Sequence, residues 1–398
     1  MELPTDPQPG TSAATDRLIT FPFVLITLCT LCYFTGLGTL LTTLPKYIKD
    51  DLGGNGFSVG LSVGIFSVAA AVLRPWAGQL GDRKGRRILV VGGCLIVAFS
   101  VAAYDLADNL ALLIGLRIIS GIGEAAVFVG AATAVQDLAP AHRRGEAASY
   151  FSVALYAGLA LGPPLGEYVA DAHGYKTTWI VAGSLAFAAA LFGLRTPIGV
   201  TSNHRPETIL NRAALKPGVV LFLGLMPFTA FSAFLALYGE KIGIDSVGPI
   251  FAVYAGGVLL IRVFGARLPD QLGWRIASVV ALGTATAAGL TFAVWTDKIG
   301  IYVAALALSI GQSLLFPALF SAVINDAPDE ERSHAVGTFS VFFDLSGGVG
   351  APLLGLVVSL SSYRGAFITA AGLSALGFVA LQTLKASEDR RVPSLASD

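Results

Sequence analysis

Apolar runs long enough to cross a bilayer recur along this chain from residue 21 to residue 384, and no other feature constrains its fold so tightly. A helix rises about 1.5 Å per residue, so a hydrocarbon core of roughly 30 Å takes about 20 residues. Runs of that size fall at 21–44, 57–80, 88–105, 110–135, 146–169, 175–194, 217–239, 247–268, 274–295, 299–323, 335–358 and 364–384. Inside lipid every backbone N–H and C=O needs an internal partner, which leaves helices or a closed barrel. These runs are too long and too uniformly apolar for barrel strands. The expectation is an all-α polytopic membrane protein with twelve transmembrane helices. Its domains would be a tail (1–20), a six-helix bundle (21–194), a polar connector (195–216), a second six-helix bundle (217–384) and a tail (385–398).

Composition narrows the function. Only 13% of the 398 residues are charged, about half the share of a soluble domain. The formal net charge of zero gives no basic footprint for nucleic acid. The polar stretch Met1 to Asp16 has no basic n-region and reads as a tail, not a cleaved signal. Cys29 and Cys32 form a CxxC inside an apolar run with no second pair, and read as lipid-side or core filling. His142, His173, His204 and His334 all fall in linkers or at helix ends. No Walker A run and no clustered nucleophile–His–acid set is present, so neither a primary pump nor an enzyme is expected, and no cofactor or metal is implied.

Charge in the linkers orients the chain. One alternating set of linkers, with both tails, holds 17 Lys and Arg residues, and the other holds 6. The richer side is expected to be cytoplasmic, with both termini inside the cell membrane.

The chain also repeats itself at an offset of 188 residues. Ser58-Val59-Gly60 falls on Ser246-Val247-Gly248, Arg74 on Arg262, Asp82 on Asp270, Gly123-Glu124 on Gly311-Gln312, Phe128 on Phe316, Pro164 on Pro352 and Tyr175-Lys176 on Tyr363-Arg364. An offset of six spans places both copies in the same orientation. Two parallel-related bundles flanking a central path suit alternating access around a midplane site.

Between the second and third spans stands Gly78-Gln79-Leu80-Gly81-Asp82-Arg83-Lys84-Gly85-Arg86-Arg87. In that position it resembles motif A of the major facilitator superfamily, with a degraded second copy at Leu268 to Arg275. Arg117, Gly121 and Gly123 are similar to motif B. Gly158-Leu159-Ala160-Leu161-Gly162-Pro163-Pro164-Leu165-Gly166 is similar to motif C, although Glu167 stands where a second glycine is usual. The resemblance covers about residues 20–385 and implies the fold of that family. Through motif C it implies the proton-coupled efflux, or antiporter, branch. Gly78, Asp82, Arg83, Gly85, Arg86, Arg87 and Asp270 would then form a cytoplasmic latch between the halves. Gly158, Gly162, Pro163, Pro164 and Gly166 would form a close-packed, bendable seam.

Deep charges mark the candidate site. Arg117 and Glu124 lie seven residues apart on one face of the fourth span, where neither can face lipid cheaply. At that depth burial favours a neutral acid and a guanidinium favours the charged one, so Glu124 is a candidate proton carrier with Arg117 as its partner. Asp344, deep in the eleventh span, is the second candidate carboxylate; its repeat partner is Tyr156. Glu124 meets only Gln312, and Arg117 meets Ala305. Tyr33 and Thr30 form a polar patch on the first span, although threonine hydroxyls often bond back to their own helix. Arg74 and Arg262 can snorkel to headgroups. Glu167 and Glu240 read as interfacial rim residues. Phe228, Phe231, Tyr254 and Phe316 are candidate rings along the path, suited to an amphipathic or weakly cationic organic solute. The expected function is a secondary active transporter, acting as a monomer in the lipid bilayer, that moves a small molecule against protons. Its rivals are a proton- or sodium-coupled importer of a sugar, amino acid or organic anion, and a non-transporting receptor or scaffold.

Overall fold

The structure, a computed structural model, describes residues 18–196, 212–265, 268–326 and 332–388. Most of both tails, most of the 195–216 connector and the side chain of Asp270 lie outside the described residues. The described chain is helical, without strands. The first half holds α1 (Phe21–Asp50), α2 (Gly56–Lys84), α3 (Arg86–Ala102), α4 (Leu110–Asp137) and α5 (Arg144–Gly193). The second holds α6 (Arg212–Gly224), α7 (Met226–Lys241), α8 (Gly248–Phe264), α9 (Leu268–Val294), α10 (Lys298–Asp326), α11 (Arg332–Gly348), α12 (Gly350–Leu360) and α13 (Tyr363–Glu388).

Three local features reconcile these helices with twelve spans. The 50-residue α5 covers the fifth and sixth spans and breaks at Gly174, where φ is 79°. Only glycine takes that backbone without strain. The pair α6 and α7 forms one span interrupted at Leu225, just before Pro227, and α11 and α12 form another interrupted at Val349, before Pro352. Proline removes a helical hydrogen bond and crowds the preceding turn, so both breaks have a local cause. The second half starts at Arg212, earlier than the expected 217, and α8 is shorter than its apolar run.

Within the first half α1 packs against α5 along the glycines of the motif C-like run. A side chain at Gly162 would strike the backbone of Thr35 and Gly38, and one at Gly166 the backbone of Thr39. The same run also reaches the second half: a side chain at Gly248 of α8 would strike the backbone of Pro164. A second seam between the halves runs between α2 and α11–α12. Gly60 abuts the backbone of Ala351, and Gly64 abuts Pro352 and the Gly348 carbonyl.

Call the ends of the helices near the termini the terminal face and the opposite ends the far face. At the far face the halves are fastened together. Lys49 at the end of α1 meets Glu240 at the end of α7 at 2.9 Å. The Phe57 amide donates to Ser359 Oγ at 2.9 Å. Glu167 of α5 accepts from Ser246 Oγ at 2.6 Å and from the amides of Val247 and Gly248 at 3.1 and 2.8 Å. Those amides open α8, so a carboxylate from one half caps a helix of the other, where the N-terminal dipole favours negative charge. The expectation of an exposed rim position for Glu167 is corrected: it is buried, at 5% exposure.

Candidate functional site

Between the halves lies a cavity of about 460 Å³, within the range of small-molecule sites. Its wall is built from both halves. Phe34 and Leu41 come from α1, Phe66 and Arg74 from α2, and Arg117 and Glu124 from α4. The second half supplies Phe228 of α7, Tyr254 and Arg262 of α8, and Gln312 and Phe316 of α10, while α5 of the first half adds Ser152 and Tyr156. The seventeen and six basic residues of the two linker sets leave three of the chain's 26. Those three, Arg74, Arg117 and Arg262, all reach this cavity.

Arg74 is the centre of the charged network. It donates through Nη1 to Asp344 Oδ2 at 2.6 Å and through Nη2 to Glu124 Oε1 at 3.4 Å. Its guanidinium carbon sits 4.6 Å from the centre of the Phe128 ring. Glu124 and Asp344 are both buried, at 6% and 7% exposure. Charges this deep persist only when paired, because desolvation costs several kcal/mol for each ion. The trio spans the boundary: Arg74 and Glu124 belong to the first half, Asp344 to the second. It holds one cation and two carboxylates. A second Glu124 oxygen, Oε2, is buried without a hydrogen-bond partner among the described residues.

The partner expected for Glu124 is therefore corrected. Arg117 turns to α2 instead, donating through Nε to the Ser62 carbonyl at 3.0 Å and lying over the Phe66 ring at 4.2 Å. Its Nη1 also reaches the Tyr104 hydroxyl at 3.5 Å. Arg74 and Arg262 do not snorkel to headgroups but turn into the cavity. A sequence signal for them existed: they are basic residues within spans, and they stand at equivalent repeat positions.

The remaining candidates divide. Tyr156, Phe228, Tyr254, Gln312 and Phe316 are on the cavity wall, whereas Phe231, Tyr33 and Thr30 are packed behind it. Phe228 and Tyr254 stack with centroids 5.5 Å apart, and Phe231 sits in the aromatic core beyond them. Thr30 bonds back to the Ile26 carbonyl at 2.9 Å. The buried Tyr33 hydroxyl has no hydrogen-bond partner among the described residues. First-half rings on the wall, Phe66, Phe128 and Phe151, escaped the sequence reading, because apolar residues in a span look alike whichever way they face.

The motif A-like loop organises one half. Arg86, opening α3, donates to Asp82 at 2.7 Å and to Asp137 at the end of α4 at 3.1 Å. Arg87 donates to the Thr196 carbonyl at 2.9 Å, and Arg83 is exposed. Gly85 links α2 to α3 at φ 89°. Gly78 has open space around it, so its lack of a side chain meets no packing need.

Comparison with known proteins places this geometry in context. The Major Facilitator Superfamily pattern matches residues 26–351 and 300–397. The MFS-type transporter YhhS of Escherichia coli (strain K12) is 26% identical over 408 residues, covering 98% of this chain and 99% of the relative. An MFS-type transporter of Burkholderia mallei is 29% identical over 402 residues, covering 95% and 94%. Among solved structures, the nucleoside transporter NupG superposes with a TM-score of 0.73 at 14% identity, covering 91% of this chain and 98% of that one. The human organic anion transporter MFSD10 gives 0.69 at 20% identity, covering 92% and 100%.

Proposed function

The chain belongs to the Major Facilitator Superfamily, and we propose that it is a secondary active transporter that exports a small amphipathic organic solute in exchange for protons. The observation that carries this reading is the bond network of Arg74 with Glu124 and Asp344, which reaches the cavity wall through Arg74 and Glu124 and crosses the boundary of the halves through Asp344. One guanidinium facing two buried carboxylates leaves a negative charge in excess. A proton neutralises it at the least structural cost. When the halves separate along α2 and α11, the Arg74–Asp344 bond must break, and the freed carboxylate either meets water or takes a proton. Protonation is thereby tied to which side the cavity opens on, the condition for coupling in alternating access. In this reading the basic-rich terminal face is cytoplasmic, the far face is external, the protein works as a monomer, and the α1–α5 glycine seam gives the export direction by its resemblance to motif C.

The test uses everted membrane vesicles acidified by respiration, with a lumenal pH dye and a panel of amphipathic dyes and drugs added outside. An exporter lets lumenal protons out as solute enters, so at least one solute should collapse the gradient. Glu124→Gln should abolish that response while the protein still elutes as a single species in detergent. Normal proton release from Glu124→Gln vesicles would sink the assignment of the coupling site. A gradient untouched by every solute that the protein binds would sink proton-driven export.

A further inference from the structure

The 188-residue repeat builds the cavity's arginine seat twice, and the two copies differ in one respect. Arg74, Glu124 and Asp344 correspond to Arg262, Gln312 and Tyr156. At the first seat the guanidinium meets two carboxylates. At the second both carboxylates are replaced by neutral groups. Arg262 donates through Nη1 to Ser152 Oγ at 3.3 Å and through Nη2 to the Tyr156 hydroxyl at 3.5 Å, both long. Its guanidinium carbon lies 4.9 Å from the Tyr156 ring centre, and its Nε is buried with no hydrogen-bond partner among the described residues. Among the described residues it meets no carboxylate.

An arginine stays charged, and a guanidinium on an apolar wall without a counter-charge is costly. Its planar fork fits the paired oxygens of a carboxylate, sulfonate or phosphate. The cavity lining points the same way, with three guanidiniums, Arg74, Arg117 and Arg262, against one carboxylate, Glu124. The first seat supplies its own anions and is left to the proton. The second has the same cation in the same place, two hydroxyls beside it, and nothing negative. We infer that the transported solute is an organic anion whose acidic group docks on Arg262, Ser152 and Tyr156. Its apolar body lies along Phe228, Tyr254 and Phe316. This deepens the transport reading and rests on it for the site, but it does not depend on proton coupling. It also replaces the weakly cationic solute expected from the aromatic residues alone.

A charged hydrogen bond sets the size of the effect: about tenfold or more in affinity. The test titrates the purified full-length protein in neutral detergent, with no gradient, by calorimetry. The probes are naphthoate, naphthamide and naphthylmethylammonium, one ring system carrying negative, no and positive charge. Naphthoate is expected to bind at least about tenfold tighter than naphthamide. Arg262→Gln should bring the two within about twofold, and Arg262→Lys should keep part of the preference. Equal binding, tightest binding of the ammonium, no binding by any probe, or an unchanged preference in Arg262→Gln overturns the inference. The wild-type comparison alone decides the matter if Arg262→Gln fails to fold. A phosphate on a lipid headgroup offers the same chemistry, so the titration is repeated with added phosphatidylglycerol. Naphthoate binding that survives supports a solute site; complete displacement assigns the seat to lipid and overturns the solute. Because this is equilibrium binding, it can fail while Glu124-dependent proton release stands, and the reverse.

Discussion

Arg74 on α2 donates to Asp344 on α11 at 2.6 Å, and that bond crosses from the first half of the chain to the second. With Glu124 completing the trio, a single side chain holds two carboxylates that would otherwise repel in a dry environment.

Removing that side chain should cost more than removing the trio. Breaking a buried ion pair from one side costs about 3–5 kcal/mol, whereas replacing all members with neutral groups is often close to neutral. Arg74→Gln is expected to lower stability by about that amount in detergent unfolding. The triple variant Arg74→Gln, Glu124→Gln, Asp344→Asn should recover most of it. Equal losses in both proteins would show that packing, not charge, holds these residues.

Glu167 locks the far face. Its carboxylate accepts from Ser246 and from the amides of Val247 and Gly248 across the halves. Charge-assisted bonds at a helix N-terminus contribute about 2 kcal/mol, which corresponds to roughly a 30-fold bias toward the sealed state. Glu167→Ala should raise the rate at which an impermeant maleimide labels Val59→Cys in a cysteine-free background. Glu167→Gln should raise it less. Unchanged labelling in both would remove Glu167 from the gate.

Two glycines from different sequence motifs should behave oppositely. A side chain at Gly162 meets the backbone of α1, which cannot move aside, so Gly162→Val is expected to prevent accumulation of folded protein. A methyl group at Gly78 meets nothing within 4 Å, and alanine is the better helix former by about 1 kcal/mol. Gly78→Ala should therefore match or exceed wild type in thermal stability.

Arg86 is held by shape as well as charge. It forks between Asp82 and Asp137, joining the ends of α2, α3 and α4. Lysine carries the same charge on a single point and cannot serve both carboxylates with that geometry. Both acids are partly exposed, which screens the interaction, so Arg86→Lys should lose only about 1 kcal/mol. A loss as large as that of Arg86→Ala would indicate that the fork is the whole contribution.

The all-α polytopic class was legible in the sequence because hydrocarbon allows few solutions. A run of about 20 apolar residues must cross, and a charge within it must find a partner. The depth of Arg117, Glu124 and Asp344 could likewise be counted along each helix. Which charges meet could not. Seven residues separate Arg117 from Glu124 by roughly 10 Å along one axis, too far for a direct bond between the two, whereas Arg74 arrives at the level of Glu124 from the neighbouring helix. The same holds for Glu167: its position near the end of a span was plain, but the α8 amides it caps belong to another half of the molecule. Sequence alone determined the helices and the depth of each charge. The packing of one half against the other decided that Arg74 is neutralised from within and Arg262 is not, because a helix's rotation and its neighbours are set by contacts between segments far apart in the chain.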